Sequence, residues 1–154
     1  MTNQITEADL KGALPDVQSE QKLSGIVSEA TIYRDRWGIP HIVADNESDL
    51  FFAQGFATAQ DRLFQMDHDR MRCLGRSAEH LGAIGLAQDK LMRCRSLEAV
   101  SKRDLEVSSD EVRVMISAYT RGVNAVIDSD APLPVEYKLT KTKPEKWEDW
   151  HCVL

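Results

Sequence analysis

The stretch Trp37–Gly75, WGIPHIVADNESDLFFAQGFATAQDRLFQMDHDRMRCLG, decides how the rest of the chain folds. It joins a short extended segment, a polar break and the longest amphipathic helical pattern in the sequence. It also holds all 4 phenylalanines, Phe51, Phe52, Phe56 and Phe64. From Leu50, apolar side chains return at Ala53, Phe56 or Ala57, Leu63 or Phe64, Met66, Met71 and Leu74, the spacing of one broad helix face. Asn46 stands where an N-cap is needed, and Asp49 three residues on can reach back toward its amide, a variant of the capping box. Gly75 supplies a left-handed stop. The spacing therefore predicts one long helix on which the other elements pack.

Working outward, Ser28–Arg34 alternates and contains Ile32 and Tyr33, which predicts a strand. Asp35–Gly38 carries turn chemistry, and Ile39–Ala44 makes a second strand, with Pro40 confined to its start or to an edge. The two form a β-hairpin. Residues 1–24 are polar without sustained periodicity and are expected to be a flexible arm, with a short helix around Glu7–Leu14. Residues 25–154 then make one unit. After Gly75, Arg76–Leu81 is helical until Gly82, and Gly85 to about Lys102 forms one helix with Leu86, Leu91, Cys94 and Leu97 available for burial. Ser108 with Glu111 has the S-x-x-E capping pattern and opens a helix over Ser109–Ile127, with Val112, Met115 or Ile116, Tyr119, Val123 and Val126 on one face. The run Asp128–Pro134 breaks it, and Pro134 starts a short helix through Leu139. The tail, with Trp147 and Trp150, carries no closing element. The predicted class is α+β, mostly helical with a hairpin at the front.

At 154 residues the chain is one domain's worth or less. Its 19 basic against 25 acidic residues give a net charge of −6, which argues against nucleic acid as a partner. No apolar run approaches the roughly 18 to 20 residues of a membrane helix, so no membrane partner is expected. The N-terminus lacks a basic region followed by an apolar one, which favours the cytoplasm. Cys73, Cys94 and Cys152 are odd in number and lack zinc-like spacing. They are expected to be free thiols, a disulfide between two of them being the alternative for an exported protein.

The suggestive polar groups do not assemble into a site. Asp67, His68 and Asp69 have the residue types of metal ligands, but neighbours on a helix point about 100° apart and cannot share one ion. Pairing of Asp67 with Arg70, and of Asp69 with Arg72, is the expected outcome. His41 follows Pro40 in a strand and is expected to be a hydrogen-bonded structural histidine, while His80 and His151 are expected at the surface or in caps. No HExxH, P-loop, GxSxG or GxGxxG pattern is present. No catalytic, cofactor-binding or metal residue is assigned in this chain.

Function enters through a resemblance. RDRWGIPHIVA (Arg34–Ala44), DLFFAQGFATAQDRLFQMD (Asp49–Asp67) and GRSAEHLG (Gly75–Gly82) resemble the start of the α subunit of the penicillin acylase family. AYTRGVNAVI (Ala118–Ile127) and LPVEYKLTKTKPEKWEDW (Leu133–Trp150) are similar to later blocks of it, in order and at plausible spacing. The resemblance implies an N-terminal-nucleophile (Ntn) amidohydrolase with a four-layer αββα sandwich, of which this segment would supply helices and the front hairpin. Such enzymes attack a linear N-acyl amide with the Ser, Thr or Cys that begins a β subunit, using its own α-amino group as base. That amine has a reference pKa near 8 and is substantially neutral at working pH.

The implied partners are therefore a β subunit and a small N-acyl amide, such as a β-lactam side chain or an N-acyl homoserine lactone. None of the 8 glycines is followed by Ser, Thr or Cys, so the self-cleavage junction, and with it the nucleophile, is expected outside this chain. Thr2 exposed by removal of Met1 is a weak rival, because TNQITEADLKGALPD does not read as a buried strand beside an oxyanion hole. The family's α-subunit substrate contacts and calcium carboxylate lie beyond the Trp150 block. No cofactor is thus expected in this chain, although the complete enzyme admits calcium, and a fragment or truncated gene is expected. Many relatives are periplasmic, which keeps that compartment open. Within AQDRLFQMD, Gln60, Asp61 and Arg62 are expected to form a partly buried polar network orienting the long helix against the β subunit's sheet. The rival class is a non-catalytic helical remnant or interaction module.

Overall fold

The computed structural model describes residues 5–154. The front hairpin pairs β1 (Ala30–Arg34) antiparallel to β2 (Pro40–Ala44), with Ile32 opposite Ile42 and Arg34 opposite Pro40. Alternation leaves Thr31, Tyr33, His41 and Val43 facing outward, while Ile32 and Ile42 face the helix behind. Gly38, with φ +78°, closes the turn in a conformation that side chains resist. Pro40 stands at the start of its strand, where it costs no ladder bond. The strands are shorter than predicted at their first residues, and the hairpin is otherwise as expected.

The long helix, α2 (Glu47–Cys73), starts and stops where the sequence indicates. Asn46 accepts a hydrogen bond from the Asp49 amide (2.9 Å), Glu47 and Asp49 lie in the positive first turn, and Gly75 follows the last turn with φ +66°. One residue departs from helical geometry: Arg62, at φ −138° and ψ 17°, kinks the helix in mid-course. No proline or glycine sits there to announce it.

Against α2 packs α6 (Asp110–Asp128), and this crossing is the heart of the molecule. Ala59 and Leu63 of α2 meet Val123 of α6 and Tyr137 of α7 (Val135–Thr140), with Phe64, Tyr119, Val126 and Trp147 packed around them. Gly55 and Gly122 face the partner backbone so closely that a β-carbon on either would lie about 2 Å from a carbonyl oxygen. The remaining elements are a short α1 (Glu7–Gly12), an α3 (Ala78–Leu81) followed by a 3₁₀ turn, α4 (Leu86–Arg95), α5 (Leu97–Val107) and a terminal 3₁₀ turn (Asp149–Val153). α1 carries a Thr6–Asp9 capping box and is tied to α7 through Asp9 and Lys138. Among the described residues no helix is long and apolar enough to cross a membrane.

Three predicted features are corrected. The helix expected over Gly85–Lys102 is two helices, because Ser96 takes the left-handed conformation (φ 52°) and turns the chain between α4 and α5. Leu86, Leu91 and Cys94 are exposed, and α4 buries Met92 and Asp89 instead. The cap of α6 is Ser109, whose hydroxyl accepts from the Val112 amide, while Ser108 turns back to the Asp104 carbonyl. The tail closes with the 3₁₀ turn, which packs on α5 and α6.

Candidate functional site

Three buried carboxylates, Asp49, Asp67 and Asp89, fasten neighbouring segments to one another. Asp49 is wholly buried, and it does not reach back to the Asn46 amide as the capping pattern suggested. Its two oxygens accept the amides of Val27 (2.8 Å) and Ser28 (2.7 Å), with the Asn46 side chain donating a third bond. The Val27 amide, with the help of Asn46 and Ser28, holds this carboxyl below its ordinary range despite burial. The segment leading into the hairpin is thereby fastened to the first turn of α2. Asp89 of α4 repeats the device, accepting from Ser77 (2.7 Å) and Ala78 (2.8 Å). Burial opposes its charge, and the two amides override that cost and keep it ionised.

The third carboxylate, Asp67, is the centre of the largest network. It pairs with Arg70 one turn on, accepts the Tyr137 hydroxyl at 3.2 Å, and stands 3.9 Å from His80 Nε2. Arg70 also donates to the Lys146 carbonyl (3.0 Å) and lies over the Trp147 ring at 5.3 Å. Burial, reinforced by the Asp67 charge, pushes the Tyr137 hydroxyl far above its usual range, so it stays a donor. Around the rim Glu145 bridges Arg70 to Arg76, and Asn124 exchanges two 2.8 Å hydrogen bonds with the Trp147 backbone. The Lys-Pro-x-x-Trp segment is thus clamped to α2 and α6.

Each residue singled out in the sequence has a definite place. Asp67 pairs with Arg70 and Asp69 with Arg72 (3.2 Å), the expected i,i+3 partners, and the first pair is buried while the second is half exposed. His41 stacks on Tyr33 with ring centres 5.0 Å apart and reaches Asp35 at 3.4 Å. His80 is a correction: its side chain is 1 % exposed, packed against Phe64 and His68. His151 does cap the terminal turn, its Nδ1 accepting from the Glu148 amide at 2.8 Å, but it too is buried. Burial beside Arg70 lowers its pKa to about 4.

Asp61 pairs with Arg34 of the hairpin at 2.9 Å, so the visible partner of this acidic residue lies within the chain. Arg62 bonds only the nearby Gln65 among the described contacts. All three cysteines are free, and burial raises the pKa of the Cys152 thiol, which contacts Thr120, and keeps it from being a ready nucleophile. Thr2 lies outside the described residues.

Among the described residues no three His, Cys, Asp or Glu side chains converge into a group that could hold a metal ion. An open cleft of about 620 Å³ runs between α2, α6 and the terminal turn, lined by Met66, Met115, Ile116, Tyr119 and Cys152. The buried carboxylates are taken up by backbone amides and by Arg70, and the cleft wall sets these apolar groups beside Asp69, Arg70, Arg72 and His151.

Known proteins place this fold. Residues 29–154 match the family described as penicillin amidase. The chain is 46 % identical over 144 residues to the penicillin acylase 2 proenzyme of Pseudomonas sp. strain SE83, an alignment covering 94 % of this chain and 19 % of that protein. It is 34 % identical to the penicillin G acylase of Escherichia coli, over 82 % of this chain and 16 % of the other. It is 32 % identical to the acyl-homoserine lactone acylase QuiP of Pseudomonas fluorescens strain Pf0-1, over 88 % and 17 %. The chain therefore spans less than a fifth of the length of these relatives. Among solved structures, a thermostable penicillin G acylase from Alcaligenes faecalis superposes with a TM-score of 0.74 at 32 % identity, covering 82 % of this chain and 69 % of that one. The match over residues 29–154, with the 46 % identity across 94 % of the chain and the superposition at 32 % identity, shows that this chain belongs to the penicillin amidase family.

Proposed function

We propose that this chain is the α-subunit portion of an amidohydrolase that cleaves linear N-acyl amides, and that its own task is structural. The serine nucleophile would begin a β subunit and use its α-amino group as base. The substrate would pair an acyl group with an amine, as in a β-lactam side chain or an N-acyl homoserine lactone. The observation that carries this reading is the 46 % identity to a penicillin acylase proenzyme across 94 % of the chain. The buried network supports it, because Asp49, Asp67 and Asp89 are committed to holding elements together. On this reading the chain alone has no amidase activity.

The deciding experiment is the intact mass of the native protein from its source under denaturing conditions. Two chains, one of them beginning with serine and weighing several tens of kilodaltons, support the reading and call for a screen of N-acyl amines. A single chain of 17.4 kDa refutes it and leaves a helical remnant or interaction module.

A prediction follows for Asp61. Its pair with Arg34 joins α2 to the hairpin, and both side chains are mostly covered, 15 % and 32 % exposed. Asp61→Ala is expected to lower the yield of assembled, processed enzyme several-fold, with turnover per assembled molecule unchanged. Yield measured by gel filtration and turnover by active-site titration separate the two. Normal yield with lost turnover would place Asp61 in the chemistry instead.

A further inference from the structure

The segment between Gly75 and Ser96 is built as an arm. Both bounding residues are left-handed, with φ +66° and +52°, and between them the chain is fastened mainly to itself. Asp89 holds the Ser77 and Ala78 amides, Arg93 Nε donates to the Gly75 carbonyl at 2.9 Å, and Gly85 lies so close to Ala78 that a β-carbon there would meet its nitrogen at 2.8 Å. Its attachment to the body is narrow. Arg76 bridges to Glu145, Met92 is buried, and His80 enters an aromatic stack on α2.

That stack contains two titratable rings. Phe64 and His80 lie 5.4 Å apart between centres at 25°, His68 and His80 6.0 Å apart at 22°, and Phe64 and His68 6.2 Å apart at 10°, with Tyr137 edge-on to Phe64 at 5.1 Å. The Nδ1 atoms of both histidines are buried without a hydrogen-bond partner. A neutral ring can leave an acceptor unpaired at modest cost, whereas a buried unpaired N–H of an imidazolium is far more costly.

We propose that Phe64, His68 and His80 form a pH-sensitive latch, in which protonation of His80 releases the Arg76–Arg95 arm from α2. The charges acting on His80 are Asp67 and His68 from α2, Glu79 from its own helix and Arg76 just before it; of these Asp67 is itself paired with Arg70 and the Tyr137 hydroxyl, and Arg76 with Glu145. Asp67 already shares its oxygens with Arg70 and Tyr137, so it offers His80 only a 3.9 Å approach. Desolvation outweighs the attraction of Asp67, and a charge on His68 adds repulsion, so the folded pKa of His80 lies below its ordinary value. A histidine held neutral in the closed state stabilises closure above about pH 6.5, and that contribution is lost as pH falls below it. The latch does not depend on the acylase reading.

The test is amide hydrogen exchange of the full chain between pH 7.5 and pH 5, corrected for intrinsic exchange rates. Arm amides are expected to lose about tenfold in protection as one proton is taken up on opening. His80→Phe keeps a ring in the stack without a titratable group, and its arm protection is expected to stay constant over the same range. Equal loss in His80→Phe, or arm amides that exchange through the same opening as α6 at every pH, overturns the proposal. Should His80→Phe not fold, the ring signals of His80 in the wild-type NMR spectrum decide. Titration in step with arm opening supports the latch, and opening while the ring stays neutral refutes it.

Discussion

Replacing Gly122 with alanine is expected to destabilise the chain by about 3 kcal/mol or more, from one added methyl group. The new β-carbon would lie 2.0 Å from the Phe52 carbonyl oxygen, 2.8 Å from the Phe56 nitrogen and 2.9 Å from the Phe52 carbonyl carbon. All three are backbone atoms of α2, so no side chain can swing aside and the helices themselves must separate. Separation would open space around Phe52 and Val123, which are 1 % and 0 % exposed, and the added clash would be compounded by lost packing. Gly55→Ala should act alike from the other side, its β-carbon meeting the Tyr119 carbonyl oxygen at 2.1 Å. Gly12→Ala is the control, since nothing lies within 4 Å of a β-carbon there and its change should fall within about 0.5 kcal/mol. Urea unfolding followed by circular dichroism measures all three. A Gly122→Ala midpoint equal to that of Gly12→Ala would mean that the crossing is not set by backbone contact.

These glycines mark the boundary of what the sequence makes legible. Apolar periodicity located α2 and α6 because each buries one face over much of its length, although the first turn of α6, Val112 included, is exposed, and local chemistry located their ends at Asn46, Gly75 and the Asp128–Pro134 break. The same periodicity gave no warning that Gly55 and Gly122 each abut the other helix's backbone, since close approach is a property of two helices at once. The break at Ser96 was hidden because a serine held left-handed by its neighbours looks like any other polar helix residue.

Burial of polar groups was hidden for a related reason. Asp67–Arg70 and Asp69–Arg72 were foreseeable from i,i+3 spacing alone. That one pair is buried and the other exposed depends on Tyr137 and Lys146, some 70 residues further on. Asp49 illustrates the limit best. A carboxylate at the third helical position has a local use in reaching back to its own cap, and a distant one in gripping Val27 and Ser28. Only the fold shows that the distant use wins. His80 was misplaced, and the burial of His151 within its cap gave no sign, because a single histidine carries no periodic signal of burial.

The Asp67–Arg70 pair should show how strongly such a network depends on completeness. Both side chains are 1 % exposed, and Arg70 has four attachments: Asp67, Glu145, the Lys146 carbonyl and the face of Trp147. Methionine at position 70 preserves much of the packing over the indole and removes the charge. It leaves Asp67 buried with only the Tyr137 hydroxyl and the more distant His80, so Arg70→Met is expected to cost about 3 to 5 kcal/mol, as breaking a buried pair on one side does. Against a total stability of about 5 to 15 kcal/mol, that approaches global unfolding. Desolvation of the orphaned carboxylate causes most of this loss, so removing its charge as well should recover much of it. Asp67→Asn combined with Arg70→Met keeps an oxygen for Tyr137 and is expected to be more stable than Arg70→Met alone by about 2 kcal/mol. If the double variant is instead less stable than the single one, the lost Lys146 and Trp147 contacts dominate. Arg70 would then act as the clamp on the C-terminal segment and not as the partner of Asp67.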